Sequence, residues 1–520
     1  MKNEVMNPYL PSFEYIPDGE PHVFDGRIYI YGSHDRFNGA MFCLNDYISY
    51  SADIHDLSDW RYEGVIYRKV QDPRNQNIPA DAPEPEPAYG LPHVPGRDDL
   101  NAPGIHALWA PDVVRGPDGR YYLYYCLDFL PEVGVAVCDT PAGQYEYLGF
   151  VHYPDGTVLG RREGDFISFD PGIFRDDDGS IYLYSGNAPI RPEMENGEKA
   201  SVVMKLREDM LTIREEPHRL MPTVMDSKGT GFEGHEFFEA SSIRKVGKRY
   251  YFVYSSVNSH ELCYAVSDVP DRDYRFGGTL VDIGDIYLNG RTEKESLNCL
   301  GNTHGGIECI DGQWYVFYHR QTNRTNFSRQ GCAEKIYFDA QGRIAQAEVT
   351  SCGLNDGPLT AEGLHPAYCC CRLQSENGAV FSSPKAMGEE YPYLTQDTAD
   401  HEPDEKAAAE DRICAEQYIA NMQDGSVAGY KYFKFEGIRH VSVTVRGKAE
   451  GTLKLTVARA KDEGAAEQEC GSIGIPANSG EWKTIPGTVE IPDGVCALNF
   501  RFIGKGRLDF RTFEFSREIR

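Results

Sequence analysis

Five segments of this 520-residue chain repeat one pattern: a short apolar run, a turn containing glycine, then an aromatic run rich in tyrosine. They are PHVFDGRIYIYGS (21–33), PDVVRGPDGRYYLYYC (111–126), PGIFRDDDGSIYLYSG (171–186), ASSIRKVGKRYYFVYSS (240–256) and GGIECIDGQWYVFYHR (305–320). Each reads as a β-hairpin: glycine supplies the tight turn, and aromatics suit strands packed between sheets. The spacing is irregular, but it leaves room in every unit for two further strands. Radial repetition of four-stranded units leaves only short, protected edges, so the expected fold is all-β, a five-bladed β-propeller. Composition agrees, with 33 Tyr, 52 Gly and 31 Pro but only 4 Trp. Helical periodicity is nearly absent outside an acidic stretch around Glu405–Arg412.

The position just before each hairpin is polar or aromatic. It holds Asp18 and Glu20 in the first unit, Trp109 in the second, Asp170 in the third, Glu239 in the fourth and His304 in the fifth. If the first strand of each blade lines the axis, these residues converge on one pocket. A single Asp before Pro is ordinary turn chemistry. Carboxylates recurring at one register around an axis repel each other, a cost that points to a chemical role.

Net charge narrows the partners. With 52 basic and 80 acidic side chains the formal charge is −28, which disfavours nucleic acid and anionic membrane and leaves neutral ligands. No window is apolar enough to span a bilayer. The opening MKNEVMNPYL lacks a basic stretch followed by an apolar run, and the 14 cysteines include no C-x-x-C pair. A cytoplasmic location with free thiols is the expectation.

Residues 7 to about 350 resemble glycoside hydrolase family 43, the five-bladed propellers that cleave arabinose and xylose linkages. NPYLPSFEYIPDGEPHVF resembles the first-blade motif and implies Asp18 as general base; Gly19 stands where the family has proline, and Glu20 is a rival. FDPGIFRDDDG implies Asp170 as the aspartate that tunes and orients the acid, and FFEASSIRK implies Glu239 as that general acid. LWAPDVV implies Trp109 as a wall of the sugar site. NTHGGIE places His304 on the axis, beside a calcium ion or water, and SRQGCAE implies Arg329 facing substrate. The resemblance implies inversion, in which acid and base flank the bond roughly 6.5–9.5 Å apart and no cofactor is required for the chemistry.

Other patterns carry less. GTGFEG (229–234) lacks a βαβ setting, HEFFE (235–239) ends in Glu rather than His, and DDDG (176–179) suits a hairpin turn better than a calcium loop.

The blade pattern stops near Ser351. The expected organisation is a propeller over 1–375, with PAYCCCRL as a strand packing back on it. A connector over 376–412 and a β-sandwich over 413–520 follow. CAEQYI and RLDFRTFEF resemble carbohydrate-binding module family 6, which implies Glu416 and Asp509 as ligands of a structural calcium. Trp482 is a candidate sugar platform or core residue, and the module is expected to buttress the site. The whole reads as an exo-glycosidase removing terminal α-L-arabinofuranosyl groups from xylo-oligosaccharides. A β-xylosidase or bifunctional enzyme is the alternative; an endo-arabinanase or a non-catalytic sugar-binding propeller stands further off. The Pro-rich insert 71–105 is a candidate for shaping a subsite.

Overall fold

The computed structural model describes residues 4–88, 99–379, 381–382, 388–397, 416–460, 467–477 and 480–518. The five hairpins form as expected, each as the first two strands of its own antiparallel sheet. The first sheet is β1 (Glu20–Phe24), β2 (Arg27–Tyr31), β3 (Tyr47–Asp53) and β4 (Asp56–Tyr67). The second is β5 (Leu108–Arg115), β6 (Tyr121–Leu127), β7 (Gly134–Cys138) and β8 (Glu146–Phe150). The third is β9 (Gly172–Arg175), β10 (Ile181–Ser185), β11 (Val202–Leu206) and β12 (Ile213–Arg219). The fourth is β13 (Phe237–Val246), β14 (Arg249–Ser256), β15 (Glu261–Ser267) and β16 (Arg275–Asp282). The fifth has three strands, β17 (Ile307–Ile310), β18 (Gln313–Thr322) and β19 (Thr325–Ile336).

Period-two alternation explains how the sheets pack. Tyr122 and Tyr124 of β6 join a core with Ile181 and Leu183 of the third sheet, while Tyr121, Leu123 and Tyr125 join Tyr29, Tyr31 and Tyr47 of the first. Tyr182 and Tyr184 turn the other way, into a core with Tyr250, Phe252 and Tyr254. Two further cores link the fourth sheet to the fifth and the fifth back to the first. Each strand therefore serves two neighbours, one through each face. The first strands of the five sheets touch in a closed cycle, and Gly19 bridges Gly305 across the join. The short fifth sheet is covered at its β19 edge by the N-terminal segment. The Asn7 side chain exchanges hydrogen bonds with the Ala333 backbone, and the Tyr9 N–H donates to the Gly331 carbonyl. Covering that edge removes a template for mispairing.

The remaining strands form two six-stranded sheets that share one apolar core, including Phe433, Phe500 and Phe513. One holds β20 (Leu359–Thr360), β22 (Arg372–Gln374), β25 (Val427–Phe435), β27 (Ala449–Arg459), β28 (Gln468–Ile475) and β30 (Gly494–Gly506). The other holds β21 (Gly363–Pro366), β23 (Tyr393–Gln396), β24 (Gln417–Met422), β26 (His440–Arg446), β29 (Lys483–Thr488) and β31 (Leu508–Ser516). The expected boundaries at 375 and 413 therefore need correction, because β20–β22 and β23 lie before them yet pair with β25, β31 and β24. PAYCCCRL is not one strand either: Pro366 ends β21 against β31, Ala367–Cys369 is a single 3-10 turn, and Arg372 and Leu373 begin β22 against β25. These short segments follow the repeat in sequence but find their backbone partners in the later strands. The acidic stretch Glu405–Arg412 lies outside the described residues. No described helix is long and apolar enough to cross a membrane.

Candidate active site

The strand order places the start of every first strand and the end of every second strand at one end of the ring. Two devices aim the side chains there. Asp18 and Asp170 sit just before β1 and β9 with left-handed φ of 57° and 45°. Glu239 lies at a β-bulge in β13, where the register shifts before Ser242 and Ala240 takes φ of 69°. Such irregularities bend the strand and re-aim its residues.

The three carboxyl groups act on one another electrostatically and differ in protonation. Burial opposes ionisation of Asp18, but the buried Arg329 guanidinium overrides it and holds Asp18 below the usual carboxylate range. Arg329 Nη1 donates to Asp18 Oδ1 at 3.1 Å. Glu239 is pushed up to about 8 by burial and by the negative charge of Asp18, against the pull of Arg329 and an Asn187 amide 3.1 Å from its Oε2. Asp170 is raised well above its ordinary value by burial, then by Glu239 and Asp18. The charge that lifts Glu239 is that of Asp18, and Asp170, expected to supply it, is itself raised, chiefly by burial. Asp170 acts on the backbone instead: its Oδ2 accepts the N–H of Ala240, the residue after Glu239, at 3.2 Å.

His304 stands between two of the acids, its Nδ1 3.5 Å from Asp170 and 3.9 Å from Asp18. Burial lowers it to about 4, so it is neutral. Glu20 is excluded from this group by its direction. It accepts from Ser242 and Arg244, and burial with the nearby Asp112 lifts it to about 8. A base that is protonated at neutral pH is a poor base.

Arg329 is anchored by Asp35, whose two oxygens accept from its Nε at 2.8 Å and its Nη2 at 3.0 Å. The Phe42 ring covers the guanidinium at 4.9 Å. Trp109 then packs edge-on against Phe42, at 6.0 Å, and Phe169, at 5.4 Å. Trp109, Phe42 and Phe169 thus form one aromatic cluster beside Arg329. Where it is described, the insert 71–105 meets the segment that carries Phe42: Ala40 N–H donates to the Asp99 carbonyl.

Sequence reasoning missed Asp35, His319, Asn187 and Phe42. His319 accepts the Asp18 N–H at 3.2 Å, so its own proton sits on Nε2. A signal existed for the first and third. A polar residue follows the second strand in each unit, at Asp35, Asp128, Asn187, Asn258 and Asn323, on the end of the sheet that carries the carboxylates.

Glu416 and Asp509, expected to hold a calcium ion, each face an arginine. Glu416 pairs with Arg511 at 2.6 Å and Asp509 with Arg446 at 2.9 Å. A carboxylate already neutralised by a guanidinium is a poor fit to a divalent cation. His304 belongs to no cluster of three His, Cys, Asp or Glu donors among the described residues; the clusters found are Glu20, His22 and Asp112, and His235, Glu261 and Cys263. Trp482 lies under Arg446 and Arg511, 4.4 and 4.5 Å from its ring, on the sheet surface rather than in the core.

The family pattern described as Glycosyl hydrolases family 43 matches residues 92–344. A Thermoclostridium stercorarium protein named Xylosidase/arabinosidase is 46% identical over 517 residues, covering 99% of both chains. The chain belongs to glycosyl hydrolases family 43. This family 43 chain is therefore a glycoside hydrolase. A Bacteroides ovatus Xylosidase/arabinosidase is 30% identical over 372 residues, 65% of this chain and 97% of its own. A solved family 43 arabinoxylan arabinofuranohydrolase from Bacillus subtilis, in complex with cellotetraose, overlays with a TM-score of 0.47 at 20% identity and covers 99% of both chains.

Proposed function

We propose that this family 43 chain is an inverting exo-glycosidase that removes terminal α-L-arabinofuranosyl groups from xylo-oligosaccharides. Its five sheets are the blades of a propeller and its two six-stranded sheets a β-sandwich. The observation that carries the reading is a pair of carboxyl groups pushed apart in pKa: Glu239 at about 8, and Asp18 held ionised by Arg329. Separated acid and base carboxyls are what glycoside hydrolysis uses.

In this reading Glu239 donates its proton to the leaving oxygen as the glycosidic bond breaks. A water attacks the anomeric carbon from the opposite face and gives its proton to Asp18. Glu239 ends ionised and Asp18 protonated, and exchange with solvent restores both. Asp170 holds the backbone beside Glu239, Trp109 walls the sugar, and His304 and Arg329 meet its hydroxyls. No step is routed through calcium, and the cytoplasmic placement belongs to the same proposal.

β-Xylosidase activity is the second reading, favoured by the relatives whose names include xylosidase. The test is hydrolysis of 4-nitrophenyl α-L-arabinofuranoside and 4-nitrophenyl β-D-xyloside beside the Glu239→Ala variant. Faster release from the arabinoside, lost in the variant, supports the first reading. Faster release from the xyloside supports the second. Release undiminished in the variant refutes Glu239 as the acid.

A further inference from the structure

The aromatic wall does not end at Trp109. Phe129 meets Trp109 edge-on at 5.5 Å, yet it is 84% exposed, the most exposed large apolar side chain among the described residues. It also has φ of 60°, a left-handed conformation that disfavours a residue bearing a β-carbon. Neither feature is explained by the core, since an exposed ring gains little from burial.

The turn that carries Phe129 is pinned on both sides. The Asp128 N–H donates to the Ala107 carbonyl, the buried Asp128 carboxylate accepts the Ala107 N–H, and the Leu130 N–H donates to the Leu127 carbonyl. His106 is paired with Asp128 at 3.2 Å. The β5–β6 register sets Leu108 opposite Leu127, so the turn stands beside Trp109 at the end of the sheet that faces the carboxylates. The result is a continuous series from the buried Arg329, under Phe42, through the half-buried Trp109, to a fully presented ring at the rim.

We propose that Phe129 is a stacking platform for the sugar unit adjoining the one cleaved, in a neutral glycan of pentose units. The proposal rests on the reading of the site as a pentosidase. The buried carboxylates take the terminal ring, and a glycan leaving the pocket along the aromatic wall meets Phe129 next. The flat C–H face of a pyranose suits an aromatic ring that is held rigid before binding, because no ordering is left to oppose association.

The test uses the full chain in the Glu239→Ala background, with xylotriose binding measured by calorimetry. Adding Phe129→Ala is expected to weaken xylotriose about tenfold, with Phe129→Trp restoring affinity to within about twofold. The melting temperature is followed in each protein. Leu364→Ala, which removes an apolar side chain 66% exposed in the C-terminal sheets, serves as the control and leaves affinity unchanged. Xylotriose affinity within about twofold of the parent in Phe129→Ala overturns the platform, as does no measurable binding by the parent. Hydrolysis of the two 4-nitrophenyl pentosides by the unmutated enzyme is read separately. No turnover together with Phe129-dependent binding overturns the pentosidase reading and leaves the platform standing.

Discussion

Replacing Asn187 by alanine should move the alkaline limb of activity to higher pH. Asn187 Nδ2 donates to Glu239 Oε2 at 3.1 Å, a bond that favours the ionised acid and pulls Glu239 down. A hydrogen bond to a charged group contributes about 1.5–3 kcal/mol, and water entering the space left by the amide recovers part of it. A net loss of about 1 kcal/mol corresponds to a rise of about 0.7 pH unit, since one unit is 1.36 kcal/mol. Burial and Asp18 still act on Glu239, and Arg329 still opposes them, so the remaining perturbation is unchanged. The backbone contact is also kept, because the Ala188 N–H rather than the Asn187 side chain pairs with the Phe238 carbonyl. The assay is kcat/KM against pH on an alkyl pentoside, whose poor leaving group needs the acid's proton. With Glu239 as the acid, activity requires it protonated, so the alkaline limb, expected near pH 8 in the unmutated enzyme, should rise by about half to one unit. A fall of the limb, or no movement with kcat unchanged, refutes the role given to this bond.

Glu239→Gln should lower turnover of an alkyl pentoside by about 10²–10⁴-fold and cost less on a 4-nitrophenyl pentoside, whose leaving group departs without a proton; equal losses on both count against Glu239 as the acid. Arg329→Met leaves Asp18 and Asp35 buried without their cation, so urea unfolding should show a loss of about 3–5 kcal/mol, and the acid limb of activity should move to higher pH. Glu20 has a folded pKa raised to about 8, so its stabilisation is complete below the ordinary glutamate range and is lost as pH rises to about 8. Glu20→Gln should flatten the fall in melting temperature over that window, and an unaltered pH slope refutes the assignment. Because Arg511 and Arg446 already neutralise Glu416 and Asp509, calcium added to chelator-treated protein should shift the melting temperature by less than about 1 °C.

The five hairpins were legible because alternation and turn glycine are local properties of a strand pair. The residues heading them were legible for the same reason: Asp18, Asp170 and Glu239 stand at one register of a repeat. Asp35 was legible only as one of the polar residues that follow the second strands; its pairing with Arg329, 294 residues away, leaves no local sign in the SHD tripeptide. The C-terminal boundary was misplaced for a related reason. Leu359–Thr360 and Gly363–Pro366 are too short to announce themselves, and they are strands only because β25 and β31 offer them edges. The calcium expectation at Glu416 and Asp509 rested on motif position, and Arg446 and Arg511 across neighbouring strands change its chemistry.

The sequence by itself determined that this chain builds paired aromatic strands five times over and that acidic residues cap three of those units. Only the tertiary structure decided which acid is charged. Asp18 and Glu239 are chemically alike, and nothing local distinguishes a donor from an acceptor. The distinction arises because closing the ring brings Arg329 to Asp18 across 311 residues, while Glu239, buried and facing the resulting negative charge, keeps its proton. Protonation follows from through-space distance and burial, which are set by how the sheets close on one another and not by the order of residues along any strand.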